Sequence, residues 1–317
     1  MITEQQRRLL TLCAMRVTSA GLDWQVIARI AQSHRGLDLL FDGEIPESSR
    51  AAADMLPVLR QALADNHRSL AEERVDREVT AAARVGASLV TVLDDDYPAN
   101  LRLIPNLPPF LFVLGGLSIT DARAVAVVGT RQASQVGVGR AESMARQLVE
   151  HGVTVTSGLA RGIDTAAHTA ALARGGRTVA VIGTGVTRCY PAENKDLAAA
   201  IAERGAVVSQ FWPTAPPAKH TFPRRNVVMS GISQGTVVIE ASKTSGAKMQ
   251  ARIAADHGKQ VFVLRSLMTE QEWAQKMVDR GTAVEVKSVD DVIGRLAAPE
   301  RVQAVGSHRQ QLALELL

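Results

Sequence analysis

Within the stretch Lys219-His220-Thr221-Phe222-Pro223-Arg224-Arg225-Asn226 stand three cations, an aromatic ring and an amide. The breakers Pro213, Pro216 and Pro217 precede it, and no carboxylate occurs between Glu203 and Glu240. Cations neutralise phosphates, and a flat ring offers a face on which a base stacks. The chemistry implied is capture of an unpaired polyanion that carries bases. Phe222 has an alternative as a core residue opening a helix over Pro223–Ser233, with Pro223 at its first position.

Bond-making chemistry finds less support. Glu240 closes an apolar run and is the main candidate, but no second carboxylate, nucleophile–base pair or metal cluster accompanies it. Its simpler role is to hold a loop N–H or the nearby Arg224 or Arg225. Asp164 and His168, four residues apart, share a helical face but lack a third metal ligand. Asp164 suits the first turn of a helix as a structural carboxylate, and His168 a structural, hydrogen-bonded position. Arg161 and Asp164 could pair within their own loop. Cys13 and Cys189 are too distant in sequence for a disulfide framework or a metal pair, so each reads as a small buried hydrophobe in a reducing compartment.

The elements around these residues follow a regular grammar. Residues 1–86 carry helical periodicity, as in Trp24, Ile27, Ala28, Ile30 and Ala31, and form a small helical domain ended by Gly86. From Ser88, β-branched runs alternate with Ala-rich amphipathic stretches. The expected strands are Ser88–Leu93, Phe110–Leu114, Ala124–Val128, Val153–Thr156, Thr178–Ile182, Ala206–Ser209, Thr236–Ile239, Gln260–Leu264 and Ala283–Val286. Helices are expected between them, at Val138–Glu150, Ile163–Arg174, Glu193–Arg204, Ala247–His257 and Glu270–Asp279. This is the pattern of an α/β doubly wound, mostly parallel sheet, here spanning 87–296, with a short polar tail over 297–317.

Ligands of such sheets sit beyond the carboxyl ends of the strands. The residues there are Gly129-Thr130-Arg131, Ser157-Gly158-Leu159-Ala160-Arg161-Gly162, Gly183-Thr184-Gly185, the loop reaching Lys219, and Glu240-Ala241-Ser242-Lys243-Thr244-Ser245-Gly246. Small residues admit an anion to backbone N–H groups and helix N-termini. The predicted rim is a phosphate-lined groove using Gly129, Thr130, Arg131, Ser157, Gly158, Arg161, Gly162, Gly183, Thr184, Gly185, Lys219, Phe222, Arg224, Arg225, Asn226, Ser245 and Gly246. A dinucleotide site does not fit: Gly137-Val138-Gly139 has the wrong spacing, and no acid ends the next strand. No cofactor is implied.

Composition sets the outer bounds. The 317 residues are 46% apolar, enough for a large core, and carry a formal charge of +4, so placement of charge matters more than its sum. Aromatics make up only 3%, which raises the information in each ring outside the core. Met1–Leu12 includes Glu4, Arg7 and Arg8 and shows no secretory pattern, and no run approaches the ~18–20 apolar residues of a membrane span. A soluble, cytoplasmic, non-enzymatic protein is the expectation.

The motifs Gly129-Thr130-Arg131, Ser157-Gly158-Leu159-Ala160-Arg161-Gly162-Ile163-Asp164, Gly183-Thr184-Gly185 with Tyr190-Pro191-Ala192-Glu193-Asn194, and Phe222-Pro223-Arg224-Arg225-Asn226, with the upstream Asp96-Tyr97-Pro98, Leu101, Ile104 and Pro108-Pro109, resemble the DNA-processing protein A family (DprA, also called Smf). The resemblance runs from about Leu89 to Leu264, with motifs in order at matching spacing. It implies an extended Rossmann domain that binds single-stranded DNA without sequence preference, preceded by a small SAM-like helical domain. It also implies a homodimer that protects incoming strands in natural transformation and helps load the RecA recombinase. Arg131, Lys219 and Phe222 match the family's basic and stacking positions, and the glycines of the second and third loops match those approaching the DNA backbone.

Departures from the family pattern are Ser245-Gly246-Ala247-Lys248-Met249-Gln250 after the Glu and Leu264-Arg265-Ser266-Leu267 after the next strand. A polar helix is expected over Met268–Asp279, and the family's C-terminal winged helix is expected to be missing. Divergent members also serve in phage-defence operons, including as antitoxin to a phosphoribosyltransferase-type toxin, so the implied partner is RecA or such a toxin. An enzymatic alternative is a nucleoside-monophosphate phosphoribohydrolase, faintly resembled by Gly235-Thr236 and Glu240, although Gly231 and Gly235 fall at different spacing.

Overall fold

The computed structural model describes residues 2–315 apart from 18–19, 34, 65–66 and 243–244. Lys243 and Thr244 of the last rim loop, and the terminal Leu316 and Leu317, lie outside the described residues. The chain is an α/β protein built on a nine-stranded sheet. In chain order its strands are β1 (Ser88–Thr91), β2 (Phe110–Gly115), β3 (Ala124–Gly129), β4 (Thr154–Ser157), β5 (Thr178–Val181), β6 (Ala206–Ser209), β7 (Gly235–Glu240), β8 (Gln260–Leu264) and β9 (Val284–Val286). Their order across the sheet is β9-β8-β7-β3-β4-β5-β6-β2-β1. All neighbours run parallel except β2, which is antiparallel to β6, and β1, which is antiparallel to β2.

Both faces are covered, so the strands are apolar on both. Along β3, Val125 and Val127 pack into one core, while Ala126 and Val128 face the other. The first core is closed by α6 (Gln135–Glu150) and α7 (Ile163–Ala173), through Ala141, Leu148, Ile163 and Ala167. The second is covered by α9 (Thr221–Ile232) and α10 (Gly246–Asp256), between which and α7 falls α8 (Lys195–Arg204).

The helical N-terminus consists of α1 (Glu4–Ala14), α2 (Trp24–Ala31), α3 (Gly36–Phe41), α4 (Arg50–Ala64) and α5 (His67–Arg84). Thr3 caps α1 in a reciprocal pair with Gln6, and Asp23 caps α2. Gly86, at φ +71°, turns the chain out of α5 into β1. Leu9, Leu12, Val26 and Ile27 belong to the same apolar cluster as Phe110, Phe112 and Val128, so this helical layer and the sheet share a core.

Two local expectations need correction, and one small element was unforeseen. The polar helix expected over Met268–Asp279 is two helices, α11 (Arg265–Glu270) and α12 (Glu272–Asp279), because the backbone of Gln271 is extended. Residues 297–317 include the helix Pro299–Glu315, which packs Val302 against Ala99 and Ala122. A two-residue antiparallel ladder, Arg16–Val17 with Ala20–Gly21, was too short for alternation to reveal. Among the described residues, no helix is long and apolar enough to cross a membrane.

Candidate nucleic-acid interface

Strand order reverses at β3, which pairs with β4 on one side and β7 on the other. Loops leaving β3 and β7 must diverge there, opening a crevice outside the carboxyl ends of the strands. A cleft of about 780 Å³ occupies this position. Its lining includes Gly129, Thr130, Arg131, Arg161, Lys219, Phe222, Arg225, Asn226, Ser245 and Gly246, all expected from sequence.

Phe222 is half-buried on the wall of this cleft rather than sealed in the core. It sits in the first turn of α9, which starts at Thr221, so Pro223 is the third helical residue and not the first. Proline is still harmless there, since the first four N–H groups of a helix have no partner within it. One edge of the ring meets Gly183, where an added Cβ would stand 2.9 Å from Cδ1. The Arg131 guanidinium carbon lies 5.4 Å from the ring centre, and the Tyr190 ring lies 5.7 Å away at 51°. Arg131 and Lys219 are exposed, and neither forms an ion pair among the described residues.

Other predicted cations have acidic neighbours. Arg161 holds Glu193 through two hydrogen bonds of 2.6 Å, Nε to Oε1 and Nη2 to Oε2, instead of pairing with Asp164. Arg225 is only 6% exposed; its Nη1 stands 3.9 Å from Asp164 and donates to the Val181 carbonyl. Asp164 is itself buried and accepts from the backbone N–H groups of Gly158 and Ala160. Burial pushes its carboxyl up, opposed by the Arg225 charge and these backbone donors. Burial likewise lowers the Arg225 guanidinium, opposed by Asp164 and reinforced by Arg131. The two form a buried pair in the cleft floor. Asn226, also in the cleft lining, is buried at 6% exposure.

The loop glycines serve the fold. Ser157, Gly158, Gly183, Thr184 and Gly185 are all buried, and Gly158 and Gly183 line a small recess beside Arg131, Tyr190 and Phe222. A Cβ on Gly158 would come within 1.2 Å of Arg225 Nη1, and one on Gly185 within 2.2 Å of the Trp212 and Pro213 carbonyls. Gly162, at φ +74°, lies against the Thr130 carbonyl, and Gly129 against Ile163. Ser157 donates to the Val127 carbonyl, and Thr184 to that of Arg188. Gly246 alone of these rim glycines has open space beside it.

His168 is fully buried and its ring is neutral, its pKa lowered to about 3 by burial and by the Arg225 charge. The Thr178 hydroxyl donates to the Val155 carbonyl, so it accepts from His168 Nδ1–H at 2.7 Å. Glu240 does not engage Arg224 or Arg225. Its carboxylate accepts from the Ser134 N–H and hydroxyl, and its carbonyl from the Thr130 N–H, tying the β3–α6 loop to β7. Among the described residues no group of histidine, cysteine and carboxylate side chains could hold a metal.

Arg224 leaves the cleft entirely and lines a different one, described below. Sequence reasoning quoted Tyr190, Met249 and Gln250 only within motifs compared with the family and did not place them on the cleft wall. The scarcity of rings in the composition could have flagged Tyr190, which is 45% exposed. Met249 and Gln250 lie on a helix face that only the packing of α10 defines. Gln250 is 1% exposed, and its Oε1 has no hydrogen-bond partner.

The sequence profile of the DNA recombination-mediator protein A family matches residues 88–297. DNA processing protein DprA of Streptococcus pneumoniae is 41% identical over 174 residues, covering 55% of this chain and 61% of that protein. The chain thus spans less than two thirds of that relative. The X-ray structure of S. pneumoniae DprA superimposes with a TM-score of 0.71 at 29% identity, covering 94% of this chain and 99% of that one. DNA processing protein A of Helicobacter pylori, studied for its single-stranded DNA binding mode, shares the fold at a TM-score of 0.59 and 24% identity, covering 66% of this chain and 94% of that one. With the profile matched across β1 to β9, the chain belongs to the DNA recombination-mediator protein A family.

Proposed function

We propose that the switch-point cleft binds single-stranded DNA without sequence preference, and that the protein acts in DNA processing by binding rather than by turnover. One observation carries this reading: Arg131 and Lys219, free of acidic partners, flank a cleft-facing Phe222 with Tyr190 beside it. Cations take the phosphates whatever the sequence, and stacked rings accept any base. Base faces in a duplex are covered by their stacked neighbours, so Phe222 selects for unpaired strands. Strand protection, RecA loading and dimer formation are the finer parts of the proposal and follow the family likeness. Catalysis has little to work with, since Glu240 is engaged by Ser134 and Asp164 by backbone donors and Arg225.

The test is fluorescence anisotropy with labelled oligo-dT and unlabelled competitors. Single strands of mixed sequence compete equally and duplex of the same length competes poorly. Phe222→Ala weakens binding by roughly 1–3 kcal/mol, the range for one stacked base. Equal competition by duplex overturns the stacking site. Release of free base from nucleoside monophosphates, read by chromatography, would instead establish an enzyme.

A further inference from the structure

The wall that carries Phe222 has a second side. Lys219, Phe222, Pro223, Arg225 and Asn226 line the switch-point cleft, whereas Ala218, His220, Thr221 and Arg224 line a separate cleft of about 580 Å³. That volume lies in the range of small-ligand sites, roughly 300–1,000 Å³. Its far wall comes from the helical N-terminus, through Arg16, Asp23, Trp24 and Arg74, and its floor from Phe211 and Trp212.

Charge and aromatic content set this second cleft apart from an ordinary seam between layers. Arg16, Arg74 and Arg224 form no ion pair among the described residues. Burial lowers the Arg74 guanidinium, and the neighbouring Arg16 charge adds to the effect. The nearby Glu78 carboxylate is occupied by the Thr214 N–H and hydroxyl. Asp23, the one acid in the lining, accepts from the Gln25 and Val26 N–H groups as a helix cap. Arg74 lies 5.0 Å from the Trp212 ring centre. Trp212 is 6% exposed, and its indole N–H has no acceptor. Three unpaired guanidinium groups and an orphaned buried donor on one cleft call for an anion with several acceptor oxygens.

We infer that this cleft binds the next nucleotides of the same strand that occupies the switch-point cleft, with phosphates on Arg16, Arg74 and Arg224. The strand bends around the first turn of α9, passing from Phe222 and Lys219 on one side to His220 and Arg224 on the other. A strand rather than a free anion is indicated because one short segment, from Lys219 to Arg224, supplies cations to both clefts. This inference rests on the reading of the switch-point cleft as a single-strand site.

The tryptophans supply the readout. Trp24 and Trp212 line this cleft, and the remaining Trp273 lies elsewhere and can be removed as Trp273→Phe. Full-length protein is titrated with oligo-dT of about 5 and about 15 nucleotides, lengths bracketing a single-strand site. The short strand is expected to bind without changing tryptophan emission, and the long one to bind more tightly and quench it. Arg16→Gln with Arg224→Gln, both on exposed residues, should abolish the quench. The pair should also lower the salt slope of the long strand by about 1.4, two phosphate contacts at about 0.7 each, while leaving short-strand affinity unchanged. Long-strand affinity and quench that survive the double substitution overturn the inference, while a Phe222→Ala defect with both strands keeps the first reading intact. Failure of both strands to bind the parent protein overturns both.

Discussion

Two rims of the sheet carry small-residue loops at the carboxyl ends of their strands, one after β3 and β7 and one after β4 and β5. In sequence the two look alike, each rich in glycine and poor in acids. In the fold they divide. After β4 and β5 the space beside each glycine is filled by the protein itself: the Arg225 guanidinium against Gly158, the Phe222 ring against Gly183, backbone carbonyls against Gly162 and Gly185. After β3 and β7 the side chains of Arg131 and Gln132 are exposed and Gly246 has open space beside it. A glycine-rich loop reports that something comes close. Whether that neighbour is a ligand or the chain's own interior depends on partners distant in sequence.

The contrast is sharpest between two arginines of similar expected role. Arg225 and Asp164 are both buried, so Arg225→Ala leaves an uncompensated carboxyl and a cavity, and should destabilise the fold by about 3–5 kcal/mol. Arg131→Ala removes an exposed side chain and should leave stability within about 0.5 kcal/mol. Its effect belongs to binding, where the salt slope falls by about 0.7 for one lost single-strand phosphate contact. Urea denaturation read beside a salt titration separates the two. Similar stability losses for both variants would erase the distinction between the closed and open rims.

A second measurement probes the closed rim through pH. His168 beneath it is held neutral, its pKa lowered to about 3, and regains its ordinary value near 6.5 when the chain unfolds. Between those values the unfolded chain binds one more proton, so stability falls as pH drops from about 6.5 towards 3. At pH 5 the loss attributable to this group is about 2 kcal/mol. His168→Gln, which does not titrate, should remove that part of the slope and leave the contribution of Asp164. A parallel acid dependence in parent and variant would mean that the ring is hydrated and the rim less closed than its burial indicates.

Strands were legible because a sheet covered on both faces needs unbroken apolar runs, and all nine such runs form strands with shifts of a residue or two at their ends. The cleft was legible in outline because doubly wound sheets place ligands at the switch point. Side-chain direction was not. Arg224 and Arg225 are adjacent, yet consecutive residues on a helix point about 100° apart, and one lines the second cleft while the other is buried against Asp164. The pairing of Arg161 with Glu193 joins residues 32 apart, which no local spacing announces.

Within the open rim, the contact between Arg131 and Phe222 sharpens the comparison further. A base stacking on Phe222 must share the ring with the guanidinium, so the two residues should act as a unit. The double-mutant cycle Arg131→Ala and Phe222→Ala on oligo-dT binding should give a coupling of about 1 kcal/mol. Additive effects would mean that cation and ring serve separate parts of the strand.

The smallest expected effect isolates the one open glycine. Gly246 begins α10 without a left-handed φ, and a Cβ there meets nothing within 4 Å. Gly246→Ala should therefore stabilise the fold by about 0.4–1 kcal/mol, by restricting the unfolded chain. If strand backbone approaches that helix N-terminus, the same methyl group must weaken binding, so stability and affinity move in opposite directions. In the closed rim they cannot, because Gly158→Ala displaces Arg225 and lowers both together. Thermal denaturation and anisotropy on the two variants decide the matter. A Gly246→Ala protein with undiminished affinity would show that the strand does not use the space this glycine leaves.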